Sequence, residues 1–338
     1  MLHALLGVFA GLITPVQTAV NTRLGRSIGS PLRASMVSFS VGLAALLALT
    51  LVLGPYPLVP SSAADGPWWM WLAGLFGAAF LTGNVLLLPR LGSLKTVIMP
   101  VTGQIVMGLL IDVFGWFGAQ QREISLPRIA GTLIALAGFL IAVTGSSLRL
   151  RIRDDNTGKA AGKRETAHAD AAACVGACGS DAGSRTGMNG KTDLLWSLAG
   201  IAFGMCSAVQ TALLGRLGTA LDSPIKAALV SFAVGLLALL VVIGVTDRTY
   251  SLGTALHKGN PWWMWIGGLM GATLVMCNSY LSSRIGTGMT VMLLLLGQVG
   301  GGLAVDRFGL LGVPRKRVSA IQYVGVLVAV VGIVLKAL

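Results

Sequence analysis

Of the twelve acidic residues, only Asp112 and Asp306 fall inside apolar stretches of the chain. A carboxylate in such surroundings is costly and commonly exchanges protons or contacts a substrate. Both residues lie close to the end of their stretch, and Arg307 follows Asp306. A helix end that is solvated or ion-paired is therefore the competing reading. Gln104 and Gln298 sit nearer the middle of theirs, each preceded by a glycine, Gly103 or Gly297. Such an amide suits a neutral polar solute, and the glycine lets a ligand or a neighbouring backbone come close. Static bonding between helices, worth about 0.6–2 kcal/mol, is an equal alternative. Gln17, Gln210, Asn84 and Asn278 are further amides in apolar surroundings. Asn84 and Asn278 each follow a glycine by seven residues, Gly77 or Gly271, on nearly the same helix face, which favours packing with the amide as a lining group.

This is an inventory for hydrogen bonding and proton exchange rather than for making bonds. The chain has no phosphate-binding G-x-x-x-x-G-K-[ST] loop, no HExxH and no Ser-His-Asp set. Its three histidines, His3, His168 and His257, fall at the ends of apolar stretches or between them. Cys174 and Cys178, with His168 upstream, are too few to hold zinc. No enzymatic role, cofactor or metal is expected.

The elements that must position these residues are membrane spans. Of 338 residues, 54% are hydrophobic and 11% charged, and mean hydropathy is +0.80. A soluble surface needs about 25% charged residues. A transmembrane helix needs ~20 predominantly apolar residues, and ten stretches qualify: Leu2–Thr22, Arg33–Leu53, Trp68–Leu88, Thr96–Phe114, Ile129–Ser147, Leu194–Leu214, Lys226–Val245, Trp262–Ser282, Gly288–Val305 and Ala320–Leu335. The net charge of +13 lies between these spans, where it orients a membrane protein, and implies no nucleic acid. The tryptophans of the two PWWMW motifs (Trp68, Trp69, Trp71 and Trp262, Trp263, Trp265) are expected as interfacial anchors; an aromatic substrate box is the minority reading. Pro15 and Pro100 are candidate kinks.

Residues 149–191 interrupt the pattern. They are rich in Ala, Gly, Asp and Lys, without an aromatic residue, and read as a flexible linker. The flanks, 1–148 and 192–338, repeat each other. Gln17–Leu43 aligns without gaps on Gln210–Leu236, with 15 of 27 positions identical, and Pro67–Gly92 aligns on Pro261–Gly286, with 13 of 26. GQIVMGLLIDVFG aligns on GQVGGGLAVDRFG. Five spans per half is an odd number, so consecutive halves must enter the membrane from opposite sides, as in transporters with inverted repeats. With the N-terminus outside, the cytoplasmic loops hold eleven Lys and Arg before the eight of the linker are added, and the outer loops hold six. This favours both termini outside and the linker inside.

The series Q-x-x-x-N, SPxxAxxVSFxxG, PWWxW, GN and GQxxxxxxxDxFG resembles the YdcZ-type family of inner-membrane exporters, within the drug/metabolite transporter superfamily. The resemblance covers both halves but not the linker, and this chain is similar to the fused, two-repeat form. It implies a ten-helix transporter and no particular substrate. The related small multidrug exporters carry a glutamate in the first helix; here the equivalent helices carry Gln17 and Asn21, or Gln210, which argues against proton exchange of that kind.

The expectation is therefore an all-α integral membrane protein of two inverted five-helix repeats. It would move a small, neutral or amphipathic solute by alternating access, with protons as candidate coupling ions and no required oligomer. Gln104 and Gln298 would form a central site. Gln17 and Asn84 would form a polar layer on one side, and Gln210 and Asn278 a layer on the other. Asp112 and Asp306 are the coupling candidates. A passive channel and a non-transporting scaffold or lipid-handling protein are the rivals.

Overall fold

The computed structural model describes residues 2–53, 66–119, 121, 125–157, 190–246, 250, 261–309 and 318–337. These residues are helical almost throughout: α1 (Leu2–Ile28), α2 (Pro31–Leu53), α3 (Ala73–Phe114), α4 (Leu126–Thr157), α5 (Gly190–Ala220), α6 (Pro224–Thr246), α7 (Gly267–Ile285), α8 (Thr287–Phe308) and α9 (Ala320–Ala337). A helix satisfies its own backbone polar groups, which hydrocarbon cannot do. Among the described residues, nine stretches are long and apolar enough to cross a membrane, and Trp68–Gly83 is a shorter apolar helix.

The breaks have local causes. Gly29 takes a left-handed φ of 75° after α1. Ser30 then accepts from the Arg33 N–H at 3.5 Å, and Pro31 opens α2 at the one position where its missing N–H costs nothing. The second half repeats the device, with Asp222 at φ 49° and Ser223 accepting from the Lys226 N–H at 3.4 Å. Each PWWMW motif forms a short 3-10 turn, Trp68–Leu72 or Trp262–Trp265. Trp68 and Trp262 point outward, while Met70 and Met264 are buried.

α3 has 42 residues, ~63 Å if straight, twice the ~30 Å of a bilayer core. It is not straight. A Cβ on Gly200 of α5 would lie 2.8 Å from Met99 and 3.4 Å from Leu87, residues that a straight helix holds ~18 Å apart. Before Leu87, α5 and α3 are antiparallel, with Gln210 at Gly77 and Phe203 at Gly83; after Met99 they are parallel, with Gly204 at Pro100 and Met205 at Gly103. The chain reverses between, so α3 supplies two of the expected spans in one helical run. In the second half the corresponding reversal falls at Gly286, φ 85° and ψ 163°, which separates α7 from α8.

α4 stays helical to Thr157, eight residues past the expected start of the linker at Arg149. Its last turns are polar, and helix needs no apolar face once it has left the membrane. The remainder of the expected linker, with His168, Cys174 and Cys178, lies outside the described residues, as does His257.

Helices meet through glycines, each contact occurring twice with the halves exchanged. A Cβ on Gly297 would strike the Val8 carbonyl, and one on Gly103 the Ile201 carbonyl; Gly11 faces Leu294 as Gly204 faces Pro100. Gly42 lies on the ring of Phe232, and Gly235 on that of Phe39. Gly131 meets Gly332, and Gly325 meets Gly138. Both proposed kink prolines are absorbed in these seams. Pro100 packs on Gly204, and Pro15 on Gly301.

Register gives direction. Gly267 meets Asn21 and Gly7 meets Leu281, so α7 is antiparallel to α1; Gly7 at Leu293 and Gly301 at Pro15 make α8 parallel to it. The starts of α1 and α8 and the ends of α7 and α9 thus share one face, hereafter the terminus face. The end of α4 and the start of α5 lie on the other, the linker face.

Candidate functional site

The first-helix amides cross from one half to the other. Gln17 of α1 lies against Gly271 of α7, and Gln210 of α5 lies against Gly77 of α3. A Cβ on either glycine would oblige the amide to shift. Gln17 also borders a cavity of about 40 Å³, with Asn21, Ser35, Ser38, Phe39, Leu81, Phe232 and Gly268. Asn21 accepts from the Ser38 hydroxyl at 2.6 Å. At ~10–15 Å³ per water, this space holds a few waters and no solute. Phe39 and Phe232, repeat mates, close it with ring centroids 4.9 Å apart.

On the opposite half, Asn278 donates to Thr211 Oγ1 at 3.2 Å. Its buried Oδ1 has no partner among the described residues. The side chain of Asn84, its repeat mate, lies outside the described residues.

Gln104 and Gln298 are half-buried and do not line this cavity. Gln298 follows the glycine that receives α1, and Gln104 the glycine that receives α5. Between the two readings of those glycines, ligand approach or backbone approach, the structure shows backbone approach. No described residue hydrogen-bonds either side chain.

Asp112 does not face interfacial water, as a residue near a helix end would be expected to do. It is 4% exposed. Both its oxygens accept from the Gly288 N–H at 3.0 Å, and Oδ2 lies 3.5 Å from Lys336 Nζ. The alternative of an ion-paired helix end describes it. Asp306 is half-buried beside Arg307, which donates to the Tyr323 hydroxyl at 3.5 Å. Among the described residues, no cluster of three metal-ligating side chains occurs.

Sequence reasoning did not single out Ser38, Phe39, Phe232 or Lys336 for the site. A signal was present for the phenylalanines: the repeat alignment superposes them.

The family described as "Putative inner membrane exporter, YdcZ" matches residues 2–141 and again 195–335. The chain belongs to this family. It is a multi-pass protein of the inner membrane, in a family of membrane transporters. The inner membrane protein YdcZ of Escherichia coli (strain K12) is 27% identical over 135 residues, 40% of this chain and 91% of that protein. That relative is therefore about as long as one half. A solved crystal structure is similar over 99% of this chain and 96% of its own length, with a TM-score of 0.62 at 16% identity, a likeness of fold alone.

Proposed function

We propose that the protein is a secondary transporter working by alternating access between two inverted halves, and that it exports a small, neutral or amphipathic solute. One observation carries this reading: each half's first-helix glutamine reaches a glycine of the other half, Gln17 to Gly271 and Gln210 to Gly77. Amides at a seam between repeats are placed to exchange partners when the halves rock, and repeat interfaces are where such sites form. The open acceptor of Asn278 and the half-buried Gln104 and Gln298 supply hydrogen bonds for a neutral solute without fixing a charge. A static scaffold would gain nothing from leaving a buried acceptor unsatisfied.

In this reading the cavity at Gln17 is the linker-side polar layer in a collapsed state, and Gln210, Asn278 and Thr211 form the terminus-side layer. The loop charges put the terminus face outside and the linker in the cytoplasm. Transport rather than catalysis is the activity, protons are the candidate coupling ion through Asp112 or Asp306, and no second copy is needed.

Solute uptake into proteoliposomes, screened with and without a pH gradient, tests the proposal. A transporter gives saturable flux, lowered at least about tenfold by Gln17→Leu together with Gln210→Leu, a loss of ~1.4 kcal/mol. Flux proportional to concentration at all levels would instead indicate a channel, and no flux for any solute a scaffold.

A further inference from the structure

We propose that Asp112, Lys336 and the backbone N–H of Gly288 form a latch that holds the terminus face shut, and that this face opens only when the latch breaks. The inference rests on the transporter reading and adds a gate to it. Asp112 belongs to α3 of the first half; Gly288 and Lys336 belong to α8 and α9 of the second. The carboxylate therefore ties the halves together at one face. Its ties are buried: Asp112 is 4% and Lys336 6% exposed, with the ammonium 3.5 Å from Oδ2 and the Gly288 N–H 3.0 Å from both oxygens.

Three features make this a closure rather than an incidental pair. Gly288 is the second residue of α8, so its N–H is one of those no helical carbonyl reaches, and the positive end of the helix dipole favours a carboxylate there. A Cβ on Gly288 would strike the Asp112 carboxylate and the Lys336 ammonium, and would lie 2.8 Å from the Gly108 carbonyl, so the glycine is what admits the contact. Beneath it the seam stays tight: a Cβ on Gly108 would lie 3.1 Å from Gly288 Cα and 3.8 Å from Val291, and Val291 is 3% exposed.

The sequence does not repeat this combination in the other half. By the repeat alignment, Asp112 corresponds to Asp306, but Gly288 corresponds to Leu94 and Lys336 to Ala142. The glycine and the lysine of the second half are thus not repeated at the aligned positions of the first. Within the closed seam neither charge can lose the other without being left buried and uncompensated, so the carboxylate and the ammonium must part together as the face opens.

The test uses a thiol beneath the latch. Cys174, Cys178, Cys206 and Cys277 are replaced by Ser, Val291→Cys is introduced, and the full chain is placed in lipid nanodiscs with a water-soluble maleimide. The parent should label slowly. Asp112→Asn, Lys336→Met and Gly288→Ala should each raise the rate about tenfold, within the range usual for conformational coupling. Asp112→Asn with Lys336→Met should label no faster than either alone, because each single change already breaks the same pair. Unchanged labelling in all three single variants that remain monodisperse and helical would overturn the latch, as would additive effects in the double variant. The readout needs no solute, so the latch stands or falls apart from transport. Flux in proteoliposomes with unaltered labelling would sink the latch alone, and accelerated labelling without flux would sink the transporter reading alone.

Discussion

Gly297 and Gly300 lie within one turn of each other on α8 in opposite circumstances. A Cβ on Gly297 would collide with the Val8 carbonyl, whereas no described atom lies within 4 Å of one on Gly300. Gly297→Ala should therefore force α1 and α8 apart, at a cost of ~1–3 kcal/mol from overpacking. Gly300→Ala should be neutral or stabilising, by up to about 1 kcal/mol from helix propensity. Thermal unfolding in detergent would separate the two, and equal melting temperatures would contradict the seam. At this scale the sequence was a partial guide. It flagged the glycine beside each glutamine and could not say whether a ligand or a backbone approached it. Asp112 shows the limit more sharply. Its apolar surroundings were legible, but its cation lies near the far end of the chain, one residue past the last expected span. No local pattern joins two positions whose proximity is made by the packing of α3, α8 and α9.

Among elements, the pairing of α2 with α6 turns on Phe39 and Phe232, with rings 4.9 Å apart and Gly42 and Gly235 beneath them. Replacing each phenylalanine with leucine, singly and together, should give a coupling energy of about 0.5–1.5 kcal/mol, as aromatic pairs do. A value near zero would mean that the rings only fill space. The α4–α9 seam makes a stronger demand, because Gly131, Gly138, Gly325 and Gly332 bring backbone against backbone. Gly138→Val or Gly325→Val should lower the melting temperature more than the same change at Gly302 of α8, where a Cβ would meet no described atom within 4 Å. The spans were legible from hydropathy because bilayer thickness sets their length. The joint inside α3 was not. Gly92 and Gly286 are repeat mates in the alignment, yet the backbone stays helical past the first and breaks at the second. Pattern and composition at the two glycines are too alike to announce that difference.

For the whole molecule, the halves are not two bodies side by side. α1 packs on α7 and α8, α5 on α3, α2 on α6 and α4 on α9, so each half covers apolar surface of the other. A protease site introduced near residue 170 and cut after purification should leave fragments that co-purify in detergent and unfold together. Fragments that separate on size exclusion would contradict these contacts. The orientation has its own check: a reporter active only in the cytoplasm, fused after Leu338, should be silent, and the same reporter placed within the linker should be active. Duplication and the alternation of spans were readable from residues alone, because they are repeated patterns; the exchange of contacts between halves became visible only in three dimensions.

The latch between the halves has a thermodynamic consequence. Two identical halves related by a two-fold axis give two conformations of equal energy, so an empty carrier of that kind would spend equal time facing each compartment. Any tie written into such a half appears at both mouths and cancels. Joining the halves in one chain lifts this degeneracy, because position 336 and position 142 can then differ. With a lysine in one and an alanine in the other, the ties at the two mouths need not balance. Any such imbalance, rather than any feature of the solute, then sets which compartment the empty carrier waits for.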